Sequence, residues 1–203
     1  MRTVTGPAAG SFKNRGSRFL GFLQPAASPT AAEEAVKILR SQYPDARHHC
    51  YAFRIGADAH ASDDGEPAHS AGSPILRRLQ SHDLTHCVCV VVRYFGGVKL
   101  GIPGLIEAYG AAAEAAIQQA AEAGLLQAWV PSAVLQVRFP YDATAAVSRW
   151  QHALQAQELD AAYAADCCLQ LRIPAKNLQE AQASVPPGVN LEVVHADDDD
   201  LPA

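Results

Sequence analysis

The chain has 203 residues, of which 49% are apolar, so it is long enough for one large domain or two small ones with a sizeable core. Its formal net charge is −5 and unevenly placed: residues 129–203 hold 4 Lys or Arg against 10 Asp or Glu, and residues 1–128 hold 12 against 11. This balance excludes a basic domain of the kind that coats DNA.

The five cysteines include no Cys-x-x-Cys pair, and Cys87/Cys89 and Cys167/Cys168 are too close in the chain to bridge easily. The first residues lack the apolar stretch of a signal peptide, and no apolar run approaches the ~20 residues that span a bilayer. We therefore expect free thiols, a reducing cytoplasm and no membrane partner. The acidic run 197–200 is expected to be a solvated tail.

The first predicted elements are two strands with a helix between them. Residues 17–26 (SRFLGFLQPA) and 48–56 (HHCYAFRIG) predict strands, because apolar and aromatic residues recur in short runs. The helix is predicted to begin with a capping box formed by Thr30 and Glu33 and to end at Pro44. Its buried face is expected to contain Ala32, Val36, Leu39 and Tyr43.

The next stretch is predicted to be a long loop followed by a short helix, a strand and a long helix. Residues 57–73 show no apolar period and predict the loop, and Ser73 is the expected N-cap of the short helix. Residues 86–95 (HCVCVVVRYF) are almost all apolar, which indicates a buried central strand. The long helix is predicted over 104–123 and ends at Gly124. Its buried stripe is expected to comprise Leu105, Ile106, Tyr109, Ala113, Ala116, Ile117 and Ala120.

A junction is predicted near residues 127–132, because the remainder of the chain has its own pattern. That remainder predicts the order β-α-β-β-α-β, with Asp142 capping the first helix and a turn at Ala165-Asp166 between the middle strands. This order is the ferredoxin-like split motif. The fold class is therefore α+β, with two domains at residues 1–128 and 129–203.

Four glycines lie in RYFGGVKLGIPGL, residues 93–105, between the buried strand and the long helix. Unpaired N–H groups at a helix N-terminus attract phosphate or carboxylate, and glycines let a ligand approach the backbone. We predict an anion- or nucleic-acid-binding site here, formed by Arg93, Gly96, Gly97, Lys99, Gly101 and Gly104. The motif is neither a Walker A loop nor GxGxxG, and a purely structural turn is the alternative.

The second candidate is the acidic turn SDDGEPAHS, residues 62–70. Its carboxylates could be solvated, bind a metal ion, or brace a cation such as Arg93. The predicted supporting set comprises Asp63, Asp64, Glu66, His49 and Arg18. Because neighbouring strand residues point to opposite faces, His48 and His49 do not easily share one ion, and we predict no metal site. No nucleophile–base set is visible, so we predict no catalytic residue and no cofactor.

Three stretches, YPDARHHCYAFRIG, SDDGEPAHSAGSPIL and VVVRYFGGVKLGIPGLIEAYGAAA, resemble the signatures of the YigZ/IMPACT family. The resemblance extends from about Ser17 to Leu126, and the following segment is similar to the small C-terminal domain of bacterial members. It implies an N-terminal domain like the second domain of ribosomal protein S5 and a C-terminal domain like the last domain of the translocation elongation factor. Eukaryotic members restrain activation of a translation-control kinase through protein binding.

The chain departs from this family pattern at two places. Members usually carry Gly-Thr in place of His69-Ser70, and Gly-Ala-Gly-Gly in place of Gly-Ile-Pro-Gly at 101–104. Pro103 removes an N–H group where an anion site needs donors, although proline is comfortable in a first helical turn.

These observations favour a non-enzymatic, cytoplasmic binding protein with a role in translation, whose basic glycine loop contacts RNA, the ribosome or a translation factor. The first alternative is a metal-dependent enzyme acting on a phosphorylated or nucleotide substrate. The second is that both motifs are structural, with the glycines serving close helix–sheet packing and Arg93 pairing with Asp64.

Overall fold

The computed structural model describes residues 1–164 and 166–196. The chain divides into two compact units, Met1–Trp129 and Val130–Ala203. Within the described ranges, no helix is long and apolar enough to cross a membrane. The predicted turn residue Ala165 and the predicted acidic tail at 197–200 lie outside the described residues.

The first unit, fully described, is a mixed α/β unit built on two sheets. Its elements are, in chain order, β1 (Arg2–Val4), β2 (Ala8–Asn14), β3 (Ser17–Pro25), α1 (Pro29–Gln42), β4 (His48–Ile55), β5 (Asp58–Ser62), α2 (Gly72–Ser81), β6 (Cys87–Tyr94), α3 (Gly101–Glu122) and β7 (Leu126–Ala128). Five strands form an antiparallel sheet in the order β2-β3-β6-β4-β5, and β1 pairs with β7.

Strand β6 lies at the centre of the five-stranded sheet, with a core on each face. Cys89 and Val91 belong to the core formed with α2 and α3, whereas Val88 and Val90 belong to the core formed with α1. Successive strand residues point to opposite faces, so a strand covered on both faces needs apolar residues at every position. This confirms the buried central strand predicted from residues 86–95.

Helix α3 approaches the sheet closely because two strand positions lack a side chain. A Cβ on Gly10 would lie 2.4 Å from the carbonyl carbon of Ala115, and one on Gly21 would lie 2.3 Å from the carbonyl oxygen of Ala112. Both separations are far below van der Waals contact. The close helix–sheet packing therefore depends on glycines in β2 and β3.

Over the described residues, the second unit contains one antiparallel sheet and two α-helices. Its elements are β8 (Ser132–Pro140), α4 (Thr144–Ala153), β9 (Gln157–Ala162), β10 (Asp166–Pro174), α5 (Leu178–Ala183) and β11 (Asn190–Ala196). The sheet order is β11-β8-β10-β9. Leu135 and Leu171 on its buried face pack in one core with Val147 and Trp150 of α4. The predicted order of elements is confirmed.

The prediction of one long loop over residues 57–73 was wrong. Residues Asp58–Ser62 form β5, which pairs with β4 in register from Tyr51 to Ile55. Strand β2, Ala8–Asn14, was not predicted either. Both segments are rich in Ala, Gly, Ser or Asp, which form strands weakly, so their neighbours β4 and β3 determine the extended conformation.

The predicted helix caps were also wrong. Helix α1 is capped by Ser28, whose hydroxyl accepts from the N–H of Ala31 at 3.1 Å, rather than by Thr30. The N-cap of α2 is Ala71, so Ser73 lies inside the helix. No side chain caps α4, so Asp142 has no capping role.

Helix α3 differs from its prediction at its start. It begins at Gly101, three residues before the predicted position, so that Pro103 lies in its first turn. Ile106 is 36% exposed and is not part of the buried stripe, whereas Leu105 and Tyr109 are buried as predicted. The helix ends at Glu122, and Gly124 follows with φ of +69°.

Candidate functional site

The connection between β6 and α3 is shaped by close packing. A Cβ on Gly96 would lie 1.9 Å from the carbonyl carbon of Gly16, in the turn between β2 and β3. The N–H of Gly96 donates to the hydroxyl oxygen of Ser17 at 3.1 Å. Gly97 has φ of +86°, in the left-handed region that favours glycine. The amide of Gly96 is therefore used inside the protein and is not offered to a ligand.

The start of α3 has donors that the protein itself does not use. No side chain caps the helix. The first N–H groups of any helix lack an intrahelical acceptor, and no described residue accepts a hydrogen bond from the N–H of Gly101 or Ile102. The positive end of the helix dipole adds to these donors. Pro103 contributes none.

Arg93, at the end of β6, is held inside the first unit by an acidic partner. Its Nη1 donates to Oε1 of Glu66, and the two side chains are only 8% and 5% exposed. The hydroxyl of Tyr109 donates to the same oxygen at 2.8 Å. Burial raises the pKa of Tyr109, which keeps its hydroxyl protonated as a donor. The interpretation that Arg93 pairs with Asp64 was wrong, because Glu66 takes that place.

The Arg93 guanidinium also contacts aromatic rings. Its central carbon lies 5.5 Å from the ring centroid of Phe19 and 5.6 Å from that of Phe95. Its Nε is buried and has no hydrogen-bond partner among the described residues. The charge of Arg93 is thus largely neutralised by Glu66, while its Nε–H donor has no acceptor among the described residues.

Asp63 caps helix α2 from outside the helix. Its Oδ1 accepts from the N–H groups of Ala71 and Gly72 at 2.9 and 2.8 Å, and its Oδ2 accepts from His69 at 2.7 Å. Burial alone would raise the pKa of Asp63, but these three hydrogen bonds outweigh it and lower that pKa. A carboxylate at a helix N-terminus also interacts favourably with the helix dipole.

Asp64 is likewise used within the first unit. Its Oδ1 accepts from Nη2 of Arg40 at 2.6 Å, and its Oδ2 accepts from the N–H of His49 at 2.7 Å. The ring of His48 bonds the carbonyl oxygen of Asp64 at 2.8 Å. Over residues 1–164 and 166–196, no group of three His, Cys, Asp or Glu is arranged to hold a metal ion.

A cavity of about 510 Å³ lies where β4, β6, the acidic turn and the start of α3 meet. It is lined by Arg47, His48, Glu66, Pro67, Arg93, Phe95, Lys99, Leu100, Gly101, Ile102 and Leu105. Arg47 and Lys99 are exposed, and neither has an ion-pair partner within the described part of the chain. Because Arg93 and Glu66 offset each other, the lining has an excess of positive charge.

The structure brings only part of the predicted set to this cavity. Arg93, Lys99, Gly101 and Glu66 line it, whereas Gly96, Gly97, Gly104, Asp63 and Asp64 shape or anchor the surrounding loops.

Arg18 and His49 were predicted to support the site, but their side chains lie on the other face of the sheet from the cavity. Arg18 lies on the α1 face of the sheet, with its guanidinium 5.0 Å from the ring centroid of Tyr94. The side chain of His49 points to that same face, where burial lowers its pKa. Only the backbone N–H of His49 supports the acidic turn. Arg93 pairs with His48 and Phe19, so these three side chains share one face of the sheet. Arg18 and His49 are the next residues along their strands, and their side chains therefore point to the opposite face.

The predicted site omits seven of the lining residues, among them Arg47, His48 and Phe95. Arg47 and His48 lie in the first of the three family-like stretches, and Phe95 lies in the glycine stretch, yet the sequence pattern assigns none of them a role in the site. Their relevance comes from the pairing of His48 with Arg93 across neighbouring strands. The alternation of side chains along β4 indicates that His48 and His49 point to opposite faces. That His48 lies beside Arg93 depends on the register between β4 and β6, which the sequence does not reveal.

The first unit and its cavity thus define a mixed α/β protein with a basic, partly apolar surface site. The model of the Impact N-terminal domain matches residues 15–117. The chain is 45% identical over 146 residues to the IMPACT family member in the pol 5′ region of Thermus thermophilus, covering 71% of this chain and 75% of that protein. It belongs to the IMPACT family.

A second curated relative and a solved structure also resemble this chain. The Escherichia coli IMPACT family member YigZ is 43% identical over 108 residues, covering 51% of this chain and 53% of YigZ. A crystal structure of a hypothetical protein matches with a TM-score of 0.68 and 29% identity, covering 96% of this chain and 97% of that one. The fold of both units therefore has an experimental counterpart.

Proposed function

We propose that this protein is a binding protein with a role in translation, and that it holds an anionic group of its partner at the cavity beside α3. The observation that carries the proposal is the convergence on one cavity of two unpaired cations, Arg47 and Lys99, with the uncapped start of a 22-residue helix. Helix N-termini and basic side chains recognise phosphate and carboxylate groups.

The carboxylates near the cavity do not cancel this attraction. Asp63 and Asp64 accept hydrogen bonds from protein donors, and Glu66 is neutralised by Arg93. An acidic turn whose three carboxylates each accept hydrogen bonds from the protein acts as a scaffold for the cations beside it. A translation-related role is what the resemblance to the family implies, and the cavity supplies a means of binding.

The finer fold assignments belong to the same proposal. The order β8-α4-β9-β10-α5-β11, with the sheet order β11-β8-β10-β9, supports a ferredoxin-like second unit. An S5-like first unit is proposed from the resemblance. Fold likeness to ribosomal and translational domains is an analogy and does not by itself establish a ligand. The free cysteines support a cytoplasmic setting.

The test is affinity capture from a cell lysate with the full chain as bait, with and without RNase, followed by mass spectrometry. We expect ribosomal or translation proteins to be captured by the parent protein and lost from the double variant Arg47→Ala/Lys99→Ala. Both residues are exposed, so this variant should retain its stability within about 0.5 kcal/mol.

The matched control is Lys13→Ala/Arg77→Ala, which removes the same charge from two exposed positions outside the cavity. Equal capture of the same translation proteins by the control and by Arg47→Ala/Lys99→Ala would place binding elsewhere on the protein and end this proposal.

A further inference from the structure

Large apolar side chains are exposed around the basic cavity. Phe95 is 57% exposed, Val98 47% and Ile102 52%, and all three lie within eight consecutive residues. Single exposed apolar residues are ordinary, but a contiguous group beside a cavity indicates an interaction surface.

The cavity also has an apolar floor. Leu100 is half-buried, and Leu105 is only 5% exposed, and both pack against the core of the first unit. Phe95, Ile102 and Pro67 form further apolar parts of the lining. A volume of about 510 Å³ lies within the usual range for ligand pockets, so a large side chain can enter it.

The two unpaired cations are placed beside this apolar surface. Lys99 lies in the chain between Val98 and Leu100, and both Lys99 and Arg47 line the cavity with Ile102. An occupant that satisfies both features has an acidic group next to a large apolar group. Charge complementarity of this kind steers association and fixes register at protein interfaces.

The lining fits a nucleic acid less well. Grooves for single strands combine a row of cations along the backbone with aromatic faces on which bases stack. Phe95 supplies the only aromatic side chain of the lining apart from His48, and its ring is contacted by the guanidinium of Arg93 at 5.6 Å. Aliphatic Val98 and Ile102 offer no stacking face.

We propose that the cavity docks a segment of a partner protein in which a large apolar side chain is flanked by Asp or Glu. The apolar side chain enters between Phe95, Ile102 and the Leu105 floor, and the carboxylates pair with Arg47 and Lys99 and approach the start of α3. This inference rests on the proposed function and specifies the partner class for the same site.

The experiment uses the full-length protein and an array of randomised 12-residue peptides. We expect the bound peptides to be enriched in Asp or Glu next to Leu, Ile, Phe or Trp. The strongest peptide is then titrated against variants. Ile102→Ser and Arg47→Ala/Lys99→Ala should each weaken binding by about tenfold or more, as truncation of an interface hot spot does.

Two controls match these variants. Ile38→Ser removes an apolar side chain that is 47% exposed on α1, and Lys13→Ala/Arg77→Ala removes the same charge as the cation variant. Both should bind within about twofold of the parent protein, since neither lines the cavity. Thermal unfolding verifies that every variant is folded, and Val98→Ser replaces Ile102→Ser if the latter is not.

A twelve-residue oligouridine, titrated at several salt concentrations, distinguishes the outcomes. If it binds with a steep salt dependence that Arg47→Ala/Lys99→Ala reduces and Ile102→Ser does not, the partner is RNA, and the inference is overturned while the proposed anion site stands. Peptides without acidic or apolar enrichment also overturn the inference. If neither probe responds to the cation variant, both the inference and the proposed function fail.

Discussion

The acidic turn at 63–66 and the glycine loop at 95–101 are neighbours in the first unit, yet they use their polar groups in opposite ways. Asp63, Asp64 and Glu66 each accept at least two hydrogen bonds from the protein. In the glycine loop, Lys99 has no partner within the described residues, and Phe95 and Val98 are about half exposed.

Clustered charge is therefore not by itself a binding site. A buried polar group costs free energy unless it is bonded, so the three carboxylates are bonded and thereby fix the shape of the turn. A surface cation needs no internal partner, because water solvates it. Groups without internal partners are the ones that remain available to another molecule, and at this cavity they are Lys99, in the glycine loop, and Arg47.

The largest expected effect is that of Glu66→Gln. Loss of this carboxylate leaves the charge of Arg93 buried without an opposite charge, which costs about 3–5 kcal/mol in typical buried pairs. The measurement is urea unfolding of the full chain followed by circular dichroism. The matched control is Glu34→Gln, because Glu34 is 61% exposed and pairs with Lys37 at 3.5 Å; it should change stability by less than about 0.5 kcal/mol.

If Glu66→Gln costs no more than Glu34→Gln, then the acidic turn is not a bonded scaffold. The contrast between the two loops would then be lost, since Glu66 would have to be counted among the groups available to a ligand.

The second effect is that of Asp63→Ala, which removes the acceptor of two backbone N–H groups at the start of α2 and of a third, that of His69, in the turn before it. We expect a loss of about 3 kcal/mol, given about 1–3 kcal/mol for each unsatisfied buried donor and partial access of water. Asp58→Ala is the control, since Asp58 is exposed on the edge strand β5. An equal effect of both substitutions in urea unfolding would contradict the capping role.

The pH dependence of the Asp63 contribution has a defined sign. The pKa of Asp63 is lower in the folded protein than in the unfolded chain, so the unfolded state binds more protons between these two values. The stabilisation is therefore fully present above a pH of about 4, the ordinary value for Asp, and is lost as the pH falls through the folded pKa. Asp63→Ala should reduce the slope of stability against pH in that acidic window.

The smallest expected effect is a gain. His69 has φ of +62°, the conformation that glycine adopts without strain, at the position where the family resemblance leads us to expect glycine. His69→Gly should raise the free energy of unfolding by about 1 kcal/mol, which corresponds to about 2–4 °C in the melting temperature. It keeps the backbone N–H that donates to Asp63.

The control for His69→Gly is Arg77→Gly, on the exposed side of α2. Glycine is unfavourable inside a helix, so this variant should lower the free energy of unfolding by about 1 kcal/mol. Loss of stability in both variants would mean that the side chain of His69, which approaches Ser73 Oγ at 3.3 Å, contributes more than its backbone strain costs.

Some features could be predicted from local pattern alone. The continuous apolar run in β6, the long apolar stripe of α3 and the order of elements in the second unit follow from residue periodicity, which is a local property. The weak strands β2 and β5 and the cap of α2 could not be predicted in this way. Each depends on a hydrogen-bond partner from another part of the chain.

The family, the main elements and the two motifs on which the site is built follow from the amino-acid sequence alone. Which charges are neutralised depends on the tertiary structure, since Arg93 pairs with Glu66, 27 residues away, and Asp64 pairs with Arg40, 24 residues away. The tertiary structure also placed Arg47 beside Lys99 and put Arg18 on the opposite face of the sheet. The physical reason is that hydrogen bonding and burial depend on strand register and on helix–sheet packing, which no local pattern encodes.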